Sequence, residues 1–173
     1  MDPSDEPPIQ PVAADGVSHP LDPRWVSWQR RVGLLASAFF TAALAGLTAA
    51  AVLLADLPAT PVIAVATAAA AVRIALSQWW PVVAYRHASY RLSDRALEIR
   101  RGVFWRSVID VPHSRIQHSD VSQGPLERMY GLGTLSVFTA GTRHALVRLQ
   151  GLAHTRALAM REHLMRTDAD DVI

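Results

Sequence analysis

The stretch Asp120–Leu135, DVSQGPLERMYGLGTL, decides how the second half of this chain folds. Its glycines, at 124, 131 and 133, have a spacing that can cradle a phosphate or turn a chain between strands. A phosphate cradle runs strand, glycine loop, helix, so that the helix N-terminus meets the anion. Here the order is reversed. Pro125 suits the first position of a helix and Gly131 the position just past its end, and Gly131-Leu132-Gly133 runs on into an apolar segment. The reading is a strand, a helix of one to two turns over PLERMY, and a tight re-entry into the next strand, with no phosphate site. Leu126 and Met129 are expected to pack inward, and Glu127 or Arg128 to be solvated or paired.

Outward from this stretch, apolar residues recur with period two. Tyr90 and Leu92, Leu97 and Ile99, Ile109 and Val111, Leu135 and Val137, and Ala145, Val147 and Leu149 alternate with polar neighbours. Turn residues separate the runs: Ser93-Asp94-Arg95, Gly102, Pro112-His113-Ser114 and Gly141-Thr142. Short strands at such spacing form an antiparallel meander. After Gly151 the period becomes helical: Ala153, Ala157, Met160 and Leu164 make one apolar stripe. The open end of a small barrel is the nearest surface it can cover.

The first half is different in kind. Val32–Leu54 holds 23 residues without a charge, enough to cross a hydrocarbon layer of ~30 Å. A second run, Val62–Ala84, is interrupted only by Arg73. The link ADLPATP between them reads as a tight turn in which Pro58 and Pro61 stop helices and Asp56 is the only charge. The leading residues are acidic and proline-rich, and the apolar run is too long and too late for a cleaved secretory signal.

Orientation follows from arginine placement. Arg24, Arg30 and Arg31 precede the first span, Arg86, Arg91 and Arg95 follow the second, and the turn has none. Both termini are expected in the cytoplasm, with Trp25, Trp28, Trp79 and Trp80 at that interface. Ala38, Ala42, Gly46 and Ala50 repeat every fourth residue, and Ala64, Ala68 and Ala71 offer small residues on the second helix. They make either a self-packed hairpin or a docking face for a partner's helices. Arg73 lies eleven residues from Ala84, ~16 Å along a helix, where a charge is costly. Three accounts stand open: snorkelling with local thinning, a carbonyl or hydroxyl such as that of Thr41 or Thr48, or an acid on another subunit.

Composition sets the limits on chemistry. The chain has 173 residues, no cysteine and no lysine, all seventeen of its basic residues being arginine. Disulfides, thiolate metal sites, Schiff bases and a Walker lysine are therefore excluded. Residues 86–166 hold thirteen arginines against six acids, and beside a membrane each basic residue favours anionic headgroups by ~1 kcal/mol. Asp110, His113, His118 and Asp120 match no metal-ligand spacing, and Ser114, His118 and Asp120 on neighbouring strand positions diverge to opposite faces rather than forming a triad. Arg100, Arg101, Phe104, Trp105 and Arg106 surround the turn GVFW. They form either a loop that touches a bilayer or a hairpin whose aromatics cover a barrel edge. No recognition helix or aromatic platform for nucleic acid emerges.

Tyr90-Arg91-Leu92, Leu97–Gly102, Val111-Pro112, Arg115-Ile116-Gln117, Gln123–Arg128, Gly131-Leu132 and Thr139-Ala140-Gly141 together resemble the YdbS-like family of bacterial membrane-bound pleckstrin-homology (PH) domain proteins. The resemblance implies a membrane α-helical hairpin followed by an all-β PH-like barrel. That barrel is two orthogonal antiparallel sheets capped by a C-terminal helix. Six strands are legible against seven in that fold, the seventh being expected from a bend within 106–123, where inward parity shifts between Ile116 and Val121. Gly133 departs from the family, which more often has alanine there, and is expected to loosen a turn.

The expected organisation is a disordered acidic tail over 1–24 and a hairpin over 25–86 with spans near 32–54 and 62–84. A cytoplasmic PH-like domain over 87–166 and a disordered tail over 167–173 complete it. The resemblance implies no enzyme activity, catalytic residue, cofactor or metal. It implies an assembly or scaffold module in the bacterial inner membrane, working with membrane lipid and with another membrane protein of related PH-like domains or a second copy. Nucleic acid and small-molecule substrates are not expected. On this reading Arg115, Ile116, Gln117, Gly124, Pro125, Leu126, Glu127, Arg128 and Gly131 are the motif residues, with Arg115, Gln117 and Arg128 the polar contacts. An anionic-lipid-sensing regulator, with the arginine-aromatic turn as its site, and an accessory subunit of a transporter or envelope-stress system are the alternatives.

Overall fold

The computed structural model of the protein describes residues 14–54, 57–140 and 146–170. Asp56, the Gly141-Thr142 turn with Ala145, and the outer parts of both expected tails lie outside the described residues. The chain divides into two compact units: Val26–Val83, and the described residues up to Trp25 together with those from Ala84 onward.

The first unit is a helical hairpin. Helix α1 runs Arg24–Leu54 and α2 runs Ala59–Arg86, ~46 and ~42 Å long at ~1.5 Å per residue. Both are long and apolar enough to cross a membrane. Their apolar side chains are largely exposed, Phe39, Leu47, Leu53 and Val65 among them, as a bilayer-facing surface requires. Pro61 does not stop a helix; it sits in the first turn of α2, where a missing N–H leaves no bond unmade. Pro81 lies inside α2 and removes one backbone donor.

The helices meet through an unexpected face. A Cβ on Gly33 would lie 3.0 Å from the Ser77 Cβ, so glycine is what permits this approach. Ser37 and Ser77 are buried, and their hydroxyls donate to the Gly33 and Ile74 carbonyls at 2.6 and 2.7 Å. Arg30 Nε donates to the Gln78 carbonyl at 3.1 Å. Gly33, Ser37, Thr41, Leu44 and Thr48 are sheltered on α1, and Val62, Ala66, Ala70, Arg73 and Ser77 on α2. Ala38, Ala42 and Gly46, with Ala64, Ala68 and Ala71, are exposed, and of the expected stripe only Ala50 is half-buried. The small-residue stripe is therefore not the seam of this hairpin.

Among the described residues, the second unit holds seven strands in two antiparallel sheets. β1 (Ser18–Pro20), β2 (Ser89–Leu92), β3 (Ala96–Arg101) and β4 (Ser107–Pro112) form one; β5 (Ile116–Ser122), β6 (Leu132–Thr139) and β7 (Leu146–Ala153) form the other. Helix α3 (Pro125–Met129) joins β5 to β6, and α4 (His154–Asp170) follows β7. The register Tyr90↔Ile99↔Ile109 and Leu92↔Leu97↔Val111 lines the inner face of the first sheet. Leu135↔Leu149 and Val137↔Val147 line the second. Ala157, Met160 and Leu164 of α4 are fully buried, so α4 covers the core as its stripe predicts. Each large side chain here contributes about 1.5–3 kcal/mol by leaving water.

The bend within 106–123 is real and yields both β4 and β5. A 3-10 turn at His113–Arg115 separates them, and a bulge between Ile116 and His118 shifts the parity, because an extra residue opposes one partner. The seventh strand comes from elsewhere: β1 lies in the segment expected to be a disordered tail and pairs with β2 from Ser18↔Arg91 to Pro20↔Ser89. The segment continues as a strap. Asp22 N–H donates to the Gly151 carbonyl at 2.8 Å, the Tyr85 hydroxyl donates to the Leu21 carbonyl at 3.1 Å, and Leu21 and Trp25 are buried. Trp25 is thus a core residue of this domain, not an interfacial anchor. At the other end, α4 continues beyond 166 to Asp170. Gly133 sits in β6, not in a turn, and a Cβ there would lie 3.1 Å from His154 Nδ1; it lets the start of α4 approach the sheet.

Candidate interaction surfaces

The motif from Arg115 to Gly131 divides by what its side chains touch. Ile116 is buried in the core, while Arg115 and Gln117 are exposed on either side of it, Gln117 at the bulge. Gly124 N–H donates to Glu127 Oε2 at 2.8 Å, and the Thr134 hydroxyl donates to Glu127 Oε1 at 2.9 Å. Glu127 therefore ties the start of α3 to β6, and Pro125 holds the first helical position with no N–H to satisfy. Gln123 Nε2 donates to the Leu132 carbonyl at 2.6 Å. Gly131 closes α3 at φ 63°, and a Cβ there would meet the Arg24 guanidinium at 3.1 Å. Arg24 is in turn held by Asp22, through bonds of 3.0 and 2.8 Å from Nε and Nη2; this ion pair holds the Asp22 carboxyl below the ordinary carboxylate range.

With Gly124, Glu127 and Gly131 engaged in the fold, the outward face of α3 is left to Leu126, Arg128 and Met129. Leu126 is 41% and Met129 74% exposed, so neither packs inward as the apolar spacing predicts. The helix has five residues, too few to present a buried stripe while Glu127 already takes the sheet side.

The arginine-aromatic turn is the second surface. β3 and β4 are paired up to Arg101↔Ser107, leaving 102–106 as the loop. Gly102 has φ 114°, and a Cβ there would lie 1.8 Å from the Trp105 carbonyl oxygen; the turn exists only with glycine. Phe104 and Trp105 project at 80% and 91% exposure. Arg100 pairs with Glu98, which Arg91 also approaches at 3.7 Å. Arg101 and Arg106 are exposed and make no ion pair among the described residues, so the turn carries net positive charge beside two exposed aromatics.

The polar residues weighed for chemistry are dispersed. His118 stacks on Phe138 at 4.1 Å, and buried His113 stands edge-on to His163 at 6.1 Å. Asp110 and Asp120 are exposed on strands of different sheets. Arg73 is half-buried in the hairpin seam.

Two long apolar helices leading into two antiparallel sheets, closed by a C-terminal helix, define a PH-like domain attached to candidate membrane spans. The model of the bacterial PH domain family matches residues 32–167, and the chain belongs to that family. Among curated proteins it is similar to the UPF0699 transmembrane protein YdbS of Bacillus subtilis (strain 168). The identity is 34% over 92 residues, covering 53% of this chain and 58% of that one. The match thus spans little more than half the length of that relative. Among solved structures, it is similar to a DUF1696 family protein with a pleckstrin-homology domain from Shewanella loihica PV-4. That likeness has 14% identity and a TM-score of 0.36, and covers 46% of this chain and 69% of the other.

Proposed function

We propose that this protein is a non-enzymatic, membrane-anchored PH-like module that assembles with another membrane protein through the outward face of α3. The observation that carries this reading is the division of labour within the motif. Glu127 and Gly131 are consumed by the fold, whereas Leu126 and Met129 stand in solvent beside exposed Arg128. Exposed apolar side chains next to an arginine are the composition of interface cores. The arginines flanking both spans and absent between them support a cytoplasmic domain on the inner membrane, with both termini on that side.

A photocrosslinker at Met129 in the full chain, compared with one at Asp94, tests the assembly in native membranes. A discrete protein adduct from 129 and none from 94 is the expected result; identical patterns from both sites refute the α3 interface. The chain lacks cysteine, so single introduced cysteines report sidedness without background.

The turn favours a second reading, contact with anionic lipid. Phe104 and Trp105 are exposed and flanked by Arg101 and Arg106, which make no ion pair among the described residues. Quenching by brominated lipids that is present in the wild-type chain and absent in Trp105→Ala, in bilayers with anionic headgroups and not in neutral bilayers or high salt, is the expected signature.

A further inference from the structure

Resting on the assembly reading, we propose that the hairpin carries a second recognition element: Arg73, with Thr41, receives a carboxylate from a transmembrane helix of a different protein.

Arg73 continues the sheltered stripe Val62, Ala66, Ala70 of α2, and among the described residues it makes no hydrogen bond or ion pair. It stands six residues inside Trp79, ~9 Å, and 14 residues from the other helix end at Ala59, ~21 Å. Exposed Trp79 and Trp80 mark the nearer headgroup level. Cα–Cβ bonds tilt toward the helix N-terminus, which for α2 is the Ala59 end. The Arg73 side chain therefore leaves the backbone away from the nearer interface, and snorkelling to it requires the chain to double back.

The two helices offer this charge no acid. Neither α1 nor α2 contains an Asp or Glu, so the helices of a second copy cannot supply an anion either. Four hydroxyls of the hairpin are turned back on their own helices: Ser37 to Gly33, Thr48 to Leu44, Thr67 to Ile63 and Ser77 to Ile74. Thr41, between them, has a buried hydroxyl with no partner among the described residues. The Gly33–Ser77 contact sets the register: one turn along each antiparallel helix brings Ser37 and Arg73 to one level, and Thr41 is a turn further on α1. From there an apolar groove of about 580 Å³, lined by Thr41, Ala45, Thr48, Ala66 and Ala70 among others, opens along the hairpin. Intramembrane charges are rare and face protein or water. Thr41 lines this groove, and Arg73 lies on the sheltered face of α2 about one turn beyond Ala70, the last α2 residue of its lining; a guanidinium so placed fits a helix bearing one carboxylate.

The test uses the full chain in neutral-lipid nanodiscs and a synthetic Leu/Ala transmembrane helix with one central Glu, against the same helix with Gln, read by energy transfer. The expected result is a preference for the Glu helix of about tenfold, abolished in Arg73→Gln, partly kept in Arg73→Lys and reduced in Thr41→Val. Equal association of both helices, or a preference that survives Arg73→Gln, overturns the proposal. So does a preference that vanishes when phosphatidylglycerol is added, which assigns Arg73 to lipid phosphate. Crosslinking at Met129 reads the assembly separately. Adducts there without a Glu preference leave the assembly reading standing and this inference refuted; a Glu preference without adducts does the reverse.

Discussion

The indole of Trp25 lies directly against Gly151: a Cβ at Gly151 would fall 2.5 Å from the Trp25 Cδ1. Gly151 also has φ 79° and accepts from the Asp22 N–H at 2.8 Å. Gly151→Ala therefore meets two penalties, the left-handed backbone at about 1–2 kcal/mol and overpacking against a buried ring at about 1–3 kcal/mol. A loss of at least ~2 kcal/mol is expected in denaturant titrations of the detergent-solubilised chain. A change within ~0.5 kcal/mol, the surface norm, would show that the ring does not pack there.

This contact also marks where sequence reading stops. The β meander, the two spans, the short motif helix and the α4 stripe are legible because each is long or periodic enough to leave a pattern. β1 has three residues in an acidic, proline-rich stretch and pairs with a strand about seventy residues away; alternation cannot show in so short a run. Trp25 resembles an interfacial anchor by position and is claimed instead by the domain's core. In the hairpin nearly every residue is apolar, so hydrophobicity does not distinguish the seam, and Gly33 against Ser77 chooses it. The candidate surfaces were half legible. Phe104, Trp105 and the motif were visible as residue types, but which motif residues face outward depends on the bonds Glu127 makes.

The Asp22–Arg24 pair couples the domain's strap to pH. The Arg24 side-chain bonds hold the Asp22 carboxyl low, with burial opposing and the Arg24 N–H assisting. A depressed folded pKa means that the pair's stabilisation is present above the unfolded value of ~3.9 and is lost as pH falls through the folded value. Asp22→Asn should lower stability near neutrality by on the order of 1 kcal/mol and should converge with wild type at strongly acid pH. An offset that stays constant from neutrality down through the acid range, where a low-pKa carboxylate must take up its proton, would place the effect elsewhere.

The arginine-aromatic turn separates shape from contact. Phe104→Ala and Trp105→Ala remove exposed side chains and should change stability by no more than ~0.5 kcal/mol while weakening association of the domain with anionic bilayers. Gly102→Ala should do both kinds of damage, because its Cβ would fall inside the Trp105 carbonyl and the loop must rebuild. Measured together, a Trp105→Ala variant that binds anionic bilayers as wild type does would remove the aromatics from the lipid reading.

The motif helix makes the sharpest contrast, between nearby residues of opposite role. Glu127 accepts from Gly124 N–H and the Thr134 hydroxyl. Glu127→Ala leaves a half-buried donor and hydroxyl unpartnered and should cost about 1–3 kcal/mol, whereas Glu127→Gln keeps an acceptor for one of the two and should recover part of it. Met129→Glu, at a position already 74% exposed, should leave stability within the ~0.5 kcal/mol surface range. It should nonetheless lose the crosslinks expected at α3, since a charge is expensive in an interface core. Should Met129→Glu instead unfold the domain, the side chain packs against the protein and α3 presents no docking face; should it fold and crosslink unchanged, the partner lies on another surface.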